Sequence, residues 1–351
     1  MVRALVRRGF RVDGVVESVE RYVVEELGNR ARFTWIHRSE LVERRPPRRM
    51  DDEVLPALAA LRRHVHPPTF VARLPAARVV GDEPIVLTDD GRAILESAFD
   101  RFQLQRNPAY RARLPVGCRI RGRRLLLANQ WAGAHFHWLL DTLPRLALLP
   151  PDDDAPILVP RFLGPAARES LRLAGVPEER LERIDHLHLR VDELVLPSLV
   201  GRTGNPPRWA LDWLRDRLVP SVGRRRRRLY VSRADAPARR VANEDAVLST
   251  LAPLGFERFL PGEWPLAEQL RAFAEAEVVV GAHGAGLTGL IAACDTTVIE
   301  LFDETYVNGC YYTLAEALGL DYWYLTCSHS DGDLLVSIPV LRRILEAAKV
   351  A

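Results

Sequence analysis

The chain has 351 residues, 48% hydrophobic and 27% charged, the balance of a globular protein large enough for more than one core. Forty-nine Lys and Arg stand against 46 Asp and Glu, a net charge of +3 that is too even for a nucleic-acid binder. No apolar window reaches the roughly 18 residues of a membrane-spanning helix, so none is expected.

The opening MVRALVRRGFRVDGVVESVE lacks the uninterrupted apolar run of a secretory leader. Cys118, Cys294, Cys310 and Cys327 form no C-x-x-C pair and read as reduced, mostly buried thiols. A cytoplasmic location is expected, with peripheral membrane contact left open. Residues 1–75 form an extension with little periodicity, in which 44–53 and 64–70 read as linkers. From Ala77 come the strands ARVVG and PIVLT, a turn at Asp89-Asp90-Gly91, and a run from Arg92 to Phe99. RRLLLANQ (123–130) reads as a buried strand and HFHWLLDTLPRLALLP (135–150) as a helix. Strand APILVP, helix RFLGPAARESLRLAGV and one or two strands in LHLRVDELVLP follow. This alternation predicts parallel α/β layers.

A seam at 201–207 leads to a helix with Trp209, Trp213 and Leu214, then to the run Arg224–Arg228. That run is either a solvated linker or a contact for an anionic surface, such as a membrane face or a diphosphate-bearing acceptor. The alternation then restarts: RLYVSR, NEDAVLSTLAPLG, FERFLP, LAEQLRAFAEA, EVVVGA, a glycine loop, TTVIELF, TLAEALGL and YWYLTC. Two α/β halves are expected, 76–220 and 221–335, with a helix closing the chain over 336–351.

Residues 278–302, VVVGAHGAGLTGLIAACDTTVIELF, place glycines and a histidine between two buried strands. The order strand, glycine loop, helix puts the loop at the carboxyl end of a strand, where open α/β sheets bind ligands. The helix start offers unpaired N–H groups to an anion. Gly284 and Gly286 let a phosphate approach the backbone between Ala285 and Leu287, with His283 or Thr288 as side-chain donors. Tight packing is the other reason for such glycines. The pattern matches neither the dinucleotide fingerprint nor a P-loop, which argues against an NAD enzyme. Upstream, Arg233 lies just past a strand, and a guanidinium there suits a diphosphate. Arg240 follows, with Asn243 and Glu244 at a helix start, where Asn243 also suits a cap. Glu300 ends the VIEL strand, either accepting ribose hydroxyls or simply solvated.

In the amino-terminal half, His137, Asp141 and Arg145 fall at i, i+4 and i+8 on one helical face, with His135 close by. Pro144 interrupts that helix. Asp141 or His137 can take the proton of an attacking hydroxyl while the other orients it. The same residues can instead form a buried structural cluster, or His135, His137 and Asp141 can hold a metal as in hydrolases.

Together, YVSR, RRVANE, VVVGAHGAGLTG, VIEL and HFHWLLDTLPRL resemble glycosyltransferase family 61, the DUF563 group, across residues 80–325. The resemblance implies a GT-B architecture, two Rossmann-like domains facing each other across a cleft. It also implies inverting transfer from a nucleotide-sugar, UDP-linked, to a hydroxyl acceptor, in polysaccharide or glycoconjugate synthesis. On that reading Arg233, Arg240, Asn243, Glu244, His283–Thr288 and Glu300 hold the donor. His137 and Asp141 are catalytic, and His135 and Arg145 lie on the acceptor side. Arginine and a helix terminus supply the positive charge, so no obligatory metal is expected. Gly289 stands where relatives often carry Asn. A metal-dependent hydrolase and a nucleotide-binding protein without turnover are the competing readings. Neither sugar nor acceptor is named by the sequence.

Overall fold

The computed structural model describes residues 10–50, 54–150, 152–223 and 226–351. The chain forms two compact units. The first combines residues up to Glu40 with His66–Thr203, and the second combines Leu41–Val65 with Gly204–Ala351. The division falls inside the Gly-Pro seam, ahead of the boundary expected near 220. Part of the expected linker belongs to the second unit: the Arg48 N–H donates to the Tyr322 carbonyl at 3.0 Å, and the Arg48 carbonyl accepts from the Tyr324 N–H at 3.1 Å.

The first unit is built on a ten-stranded sheet whose spine is the strand His188–Pro197. On one side it runs parallel to Cys118–Leu126, which is followed outward by Ile157–Val159 and Leu181–Arg183. Helical segments connect Cys118–Leu126 to Ile157–Val159 and that strand to Leu181–Arg183, so the parallel layering read from the sequence holds there, while only residues 184–187 lead back to the spine. The other side differs. Thr69–Pro75 and Arg78–Val80 pair antiparallel to the spine, and Arg78–Val80 pairs antiparallel with Ile85–Leu87. A short turn beginning at Gly81, with φ of +93°, joins the last two, and a turn that short cannot make a parallel crossover. The sheet is therefore mixed. The HVHPPTF stretch, expected as linker, supplies parts of two strands, Arg63–His66 and Thr69–Pro75.

The second unit carries the doubly wound arrangement expected for 221–335. Its strands lie in the order Phe256–Phe259, Arg227–Val231, Ala276–Ala282, Thr297–Asp303 and Asp321–Ser330, all parallel. Asp333–Leu335 adds an antiparallel edge. Val278, Val279 and Val280 are all buried, as are Val298, Ile299 and Leu301, the unbroken apolar pattern of strands covered on both faces. In chain order the parallel strands read 2-1-3-4-5. The connections leave the first strand in opposite directions, so the topological switch point, where such sheets place ligands, lies at the carboxyl ends of Arg227–Val231 and Ala276–Ala282.

Among the described residues, no helix is long and apolar enough to cross a membrane. None of the four cysteines is in a disulfide; Cys310 and Cys327 are buried, whereas Cys118 and Cys294 are exposed, fewer buried than expected.

Candidate functional site

At that switch point the register pairs Val231 with Gly281, so the residues just beyond each strand end become neighbours. Arg233 and Gly284 meet there. The Arg233 guanidinium fills the space that a Cβ on Gly284 would take. Its Nε donates to the Arg239 carbonyl and its Nη2 to the Ala238 carbonyl, each at 3.1 Å. Burial pushes the Arg233 pKa below its ordinary value, and the nearby Arg239 charge adds to the effect.

The other loop glycines also receive parts of the protein. A Cβ on Gly286 would press on a Val231 methyl, and one on Gly289 would collide with the Phe273 ring. Gly289 is therefore a packing residue. Ala285–Ala292 is a 3₁₀ helix, not the α-helix expected. Leu287 and Thr288 are buried within it, while Ala285 is exposed and Gly286 partly so. The accessible backbone of the loop is thus that of Ala285–Gly286, at a helix start whose first N–H groups lack intrahelical partners.

His283 and Glu300 form a buried pair, Nδ1 to Oε1 at 2.6 Å. The Tyr322 hydroxyl donates to the other Glu300 oxygen at 2.5 Å. Glu300 is fully buried, which fits neither a ribose contact nor a solvated strand end. Its carboxylate orients the His283 ring instead, accepting from Nδ1–H. The Tyr311 hydroxyl donates to the Gly284 carbonyl at 2.7 Å and lies 3.3 Å from the Thr288 hydroxyl, tying the loop down.

Arg240, Asn243 and Glu244 are occupied by the fold. Arg240 pairs with Asp333 at 3.0 Å. Asn243 sits at the cap position of the helix Glu244–Leu251, yet its amide exchanges two hydrogen bonds with the Val336 backbone. Glu244 accepts from the Ser232 hydroxyl at 2.6 Å and from Arg258 at 3.2 Å. Arg239, which no sequence motif singles out, adopts φ of +56° and holds its guanidinium 4.7 Å from the Tyr306 ring centre. The Arg-Arg dipeptide was the available signal, but it does not say which arginine is paired.

In the first unit, the expected helix over 135–150 is helical but irregular: α over His135–His137, π over Trp138–Thr142 and 3₁₀ over Leu143–Leu148. Pro144 has no N–H for the Leu140 carbonyl, and the preceding Leu143 N–H reaches back to the Trp138 carbonyl, closing a wider turn. The His137 Nδ1 lies 2.7 Å from the Asp141 Oδ2. The Thr203 hydroxyl donates to the same oxygen at 2.6 Å and sits 3.2 Å from Nδ1. Asp141 is buried and His137 half-buried. Asn129 steadies this turn, its Oδ1 accepting from the Thr142 hydroxyl at 2.6 Å.

Arg145 does not share the face of His137 and Asp141. The altered winding turns it into the core, where it donates to the carbonyls of Leu127, Ala128, Pro197 and Ser198. Burial lowers its pKa to about 9, so it stays ionised at neutral pH, and its role is structural rather than acceptor-facing. His135 is half-buried, and burial holds its pKa below the ordinary histidine value. Among the described residues, no three His, Cys, Asp or Glu side chains gather to hold a metal, so the His135, His137 and Asp141 set is not assembled as a hydrolase centre.

A cleft of about 610 Å³ in the first unit is lined by Trp131 and Thr203, the residues that touch His137 and Asp141, although the dyad itself is not in its wall. Phe99, Asp100, Gln103, Trp131, Arg202 and Thr203 are among its walls. Trp131, at φ of +63°, stacks on Phe99 and stands 4.9 Å from the His137 ring. The sequence flagged neither Trp131 nor Thr203, since an isolated tryptophan and a seam threonine carry no spacing signal. Arg224 and Arg225 lie outside the described residues. Arg227 pairs with Glu257 at 2.5 Å and Arg228 with Glu277 at 2.6 Å, so these two are strand residues in ion pairs rather than an anion-binding face.

Residues 135–299 match the family Glycosyltransferase 61, a stretch that takes in both the His137–Asp141 pair and the glycine loop. A beta-1,2-xylosyltransferase RCN11 of Oryza sativa subsp. japonica is 45% identical over 58 residues, 16% of this chain and 11% of the relative. A beta-1,2-xylosyltransferase of Arabidopsis thaliana is 30% identical over 83 residues, 23% of this chain and 16% of the relative. The matched stretches thus span a small part of either relative's length. These likenesses support a glycosyltransferase.

Proposed function

We propose that the chain is an inverting glycosyltransferase that moves a sugar from a nucleoside-diphosphate donor, UDP-linked, to a hydroxyl of a glycan or other acceptor. The observation that carries this reading is Arg233 seated on Gly284 at the switch point of a doubly wound sheet, beside the exposed start of the Ala285–Ala292 helix. A guanidinium and unpaired N–H groups at one switch point are what a diphosphate requires. The reading includes a GT-B architecture, with the donor on the second unit and the acceptor in the Trp131 cleft of the first. It needs no divalent cation, because positive charge comes from arginine and backbone.

In this mechanism His137 is the general base and Asp141 its positioning residue. With Nδ1–H donated to Asp141, Nε2 takes the acceptor hydroxyl proton as that oxygen attacks the anomeric carbon. The bond from the anomeric carbon to the diphosphate breaks, configuration inverts, and the departing diphosphate gathers charge against Arg233 and the loop backbone. The two similar relatives make UDP-xylose the first donor to try, followed by UDP-linked hexoses and N-acetylhexosamines. The test is a thermal-shift panel of these donors and UDP, then donor turnover with a glycan panel and product anomers read by NMR. If no nucleotide raises the melting temperature and no donor releases UDP, the reading fails. A product that keeps the donor's anomeric configuration would overturn the inverting step alone.

A further inference from the structure

We propose that Arg239 is a second ligand of the donor diphosphate, forming with Arg233 a two-guanidinium clamp backed by Tyr306. This rests on the nucleotide-sugar reading above and adds to it a residue and a geometry. The arginines at this edge of the sheet divide into two kinds. Arg240 is held by Asp333 and Arg258 by Glu244, both at hydrogen-bonding distance. Arg233 and Arg239 have no such carboxylate among the described residues. Arg233 bonds only carbonyl oxygens, one of them that of Arg239 itself. The Nη1 of Arg239 is buried without a hydrogen-bond partner.

Arg233 reaches the Arg239 backbone, and two cations carried on one turn repel, so neither gains anything from the arrangement in the protein alone. The surroundings maintain it nonetheless. The Arg239 backbone is held in the left-handed region, φ +56°, by its N–H donating to the Gly332 carbonyl at 2.8 Å. That conformation is uncommon for a residue with a side chain and persists where neighbours impose it. The Tyr306 ring, 46% exposed, lies against the guanidinium at 4.7 Å and stabilises the cation without neutralising it. Asp235 acts on Arg233 more weakly than the Arg239 charge does. What remains is the Arg233 guanidinium on Gly284, bonded to the Arg239 carbonyl, and the Arg239 guanidinium on Tyr306 with its Nη1 unpartnered, neither paired with a carboxylate among the described residues. A ligand bearing two adjacent negative groups fits this pair, and a diphosphate is that chemistry.

The test uses the full chain with UDP, uridine and inorganic pyrophosphate, each titrated by calorimetry against wild type, Arg239→Gly and Arg240→Ala. Glycine favours the left-handed backbone, so Arg239→Gly removes the charge without straining the turn. Loss of charge-assisted hydrogen bonds predicts about 10- to 100-fold weaker binding of UDP and of pyrophosphate, with uridine unaffected. Arg240→Ala is expected to match wild type. Unchanged UDP and pyrophosphate affinity in a folded Arg239→Gly would overturn the clamp. If wild type binds pyrophosphate but not UDP, and Arg239→Gly loses that binding, the clamp stands while the nucleotide reading falls. If wild type binds neither ligand, the clamp is refuted. Should Arg239→Gly melt early, Arg239→Lys serves: it keeps charge but lacks the planar fork, so an intermediate affinity for both ligands supports the clamp and wild-type affinity refutes it.

Discussion

The Arg233 guanidinium stands where a side chain on Gly284 would begin. The two are fifty-one positions apart in sequence and meet because adjacent parallel strands end together. Gly284→Ala is therefore predicted to expel the arginine from its seat. UDP binding should weaken by about 1.5–3 kcal/mol, the range for hydrogen bonds to charged groups, and Arg233→Ala should give a similar loss. Arg240→Ala removes an ion pair whose arginine is about half exposed and should change neither UDP affinity nor, beyond about 1 kcal/mol, stability. Calorimetry on the three variants checks this. UDP affinity in Gly284→Ala equal to wild type would show that Arg233 is not placed by the glycine.

The topology of this sheet edge was legible in the sequence, and the surroundings of its individual residues were not. Strand, glycine loop, helix and strand were legible because buried parallel strands are unbroken apolar runs. The space around each glycine was not legible: Gly284 admits Arg233, Gly286 admits Val231 and Gly289 admits Phe273, where the sequence suggested room for phosphate. Glu300 illustrates the same limit, since nothing local shows that His283 and Tyr322 converge on it from other strands. In the first unit, Pro144 signalled an irregular helix, but not that a π turn would keep Asp141 on His137 while turning Arg145 inward. The mixed sheet escaped because short antiparallel strands and parallel ones share the same β-branched composition.

Arg145 tests the inward turn. Its four carbonyl partners are buried, and a nonpolar side chain would leave them unsatisfied. Arg145→Met is expected to be strongly destabilising, since each buried carbonyl left unsatisfied costs about 1–3 kcal/mol. Chemical denaturation measures this, and the folded fraction should keep the wild-type KM for acceptor. A variant of wild-type stability with a raised acceptor KM would restore Arg145 to the acceptor side.

Asp303 and His329 give the second unit a pH signature. Asp303 ends its strand by accepting from the Thr305 N–H and hydroxyl, and from the His329 Nδ1 at 2.7 Å. Burial acts to raise its pKa, but these bonds outweigh burial and hold it below the ordinary value. The bond to Asp303 is the main cause raising the His329 pKa. The His329 contribution is complete below the unfolded histidine pKa and is lost as pH rises through the raised folded value. The Asp303 contribution is present above the unfolded carboxyl pKa and is lost as pH falls through the depressed one. The pair therefore stabilises most between about pH 4 and about pH 6.5. His329→Ala should lower the melting temperature near pH 5.5 and converge on wild type near pH 9, the difference shrinking in high salt because His329 is largely exposed. An equal deficit at both pH values would mean that the side chain matters by packing rather than charge.

The proposed mechanism turns on Thr203, Asp141 and His137. The Thr203 hydroxyl proton is committed to Asp141, so the threonine supplies a second fixed donor to that carboxylate and holds it under the imidazole. Asp141 is buried, which leaves His137 as the member able to meet a hydroxyl, with Trp131 packed against its ring. His137→Ala should lower kcat by about 10²–10⁴-fold, the usual worth of a general base. Asp141→Asn should approach that loss, because an amide can donate to Nδ1 and so place the imidazole proton on Nε2, where it blocks proton uptake. In both variants UDP affinity should be unchanged, the mark of an interaction made in the transition state. Thr203→Val removes one positioning bond and should cost roughly tenfold in kcat, with Thr203→Ser, which keeps the hydroxyl, restoring it. If His137→Ala folds, binds UDP and turns over at the wild-type rate, the dyad is a structural device of the π turn. The base must then lie elsewhere, and the Glu300-held His283 becomes the first residue to change.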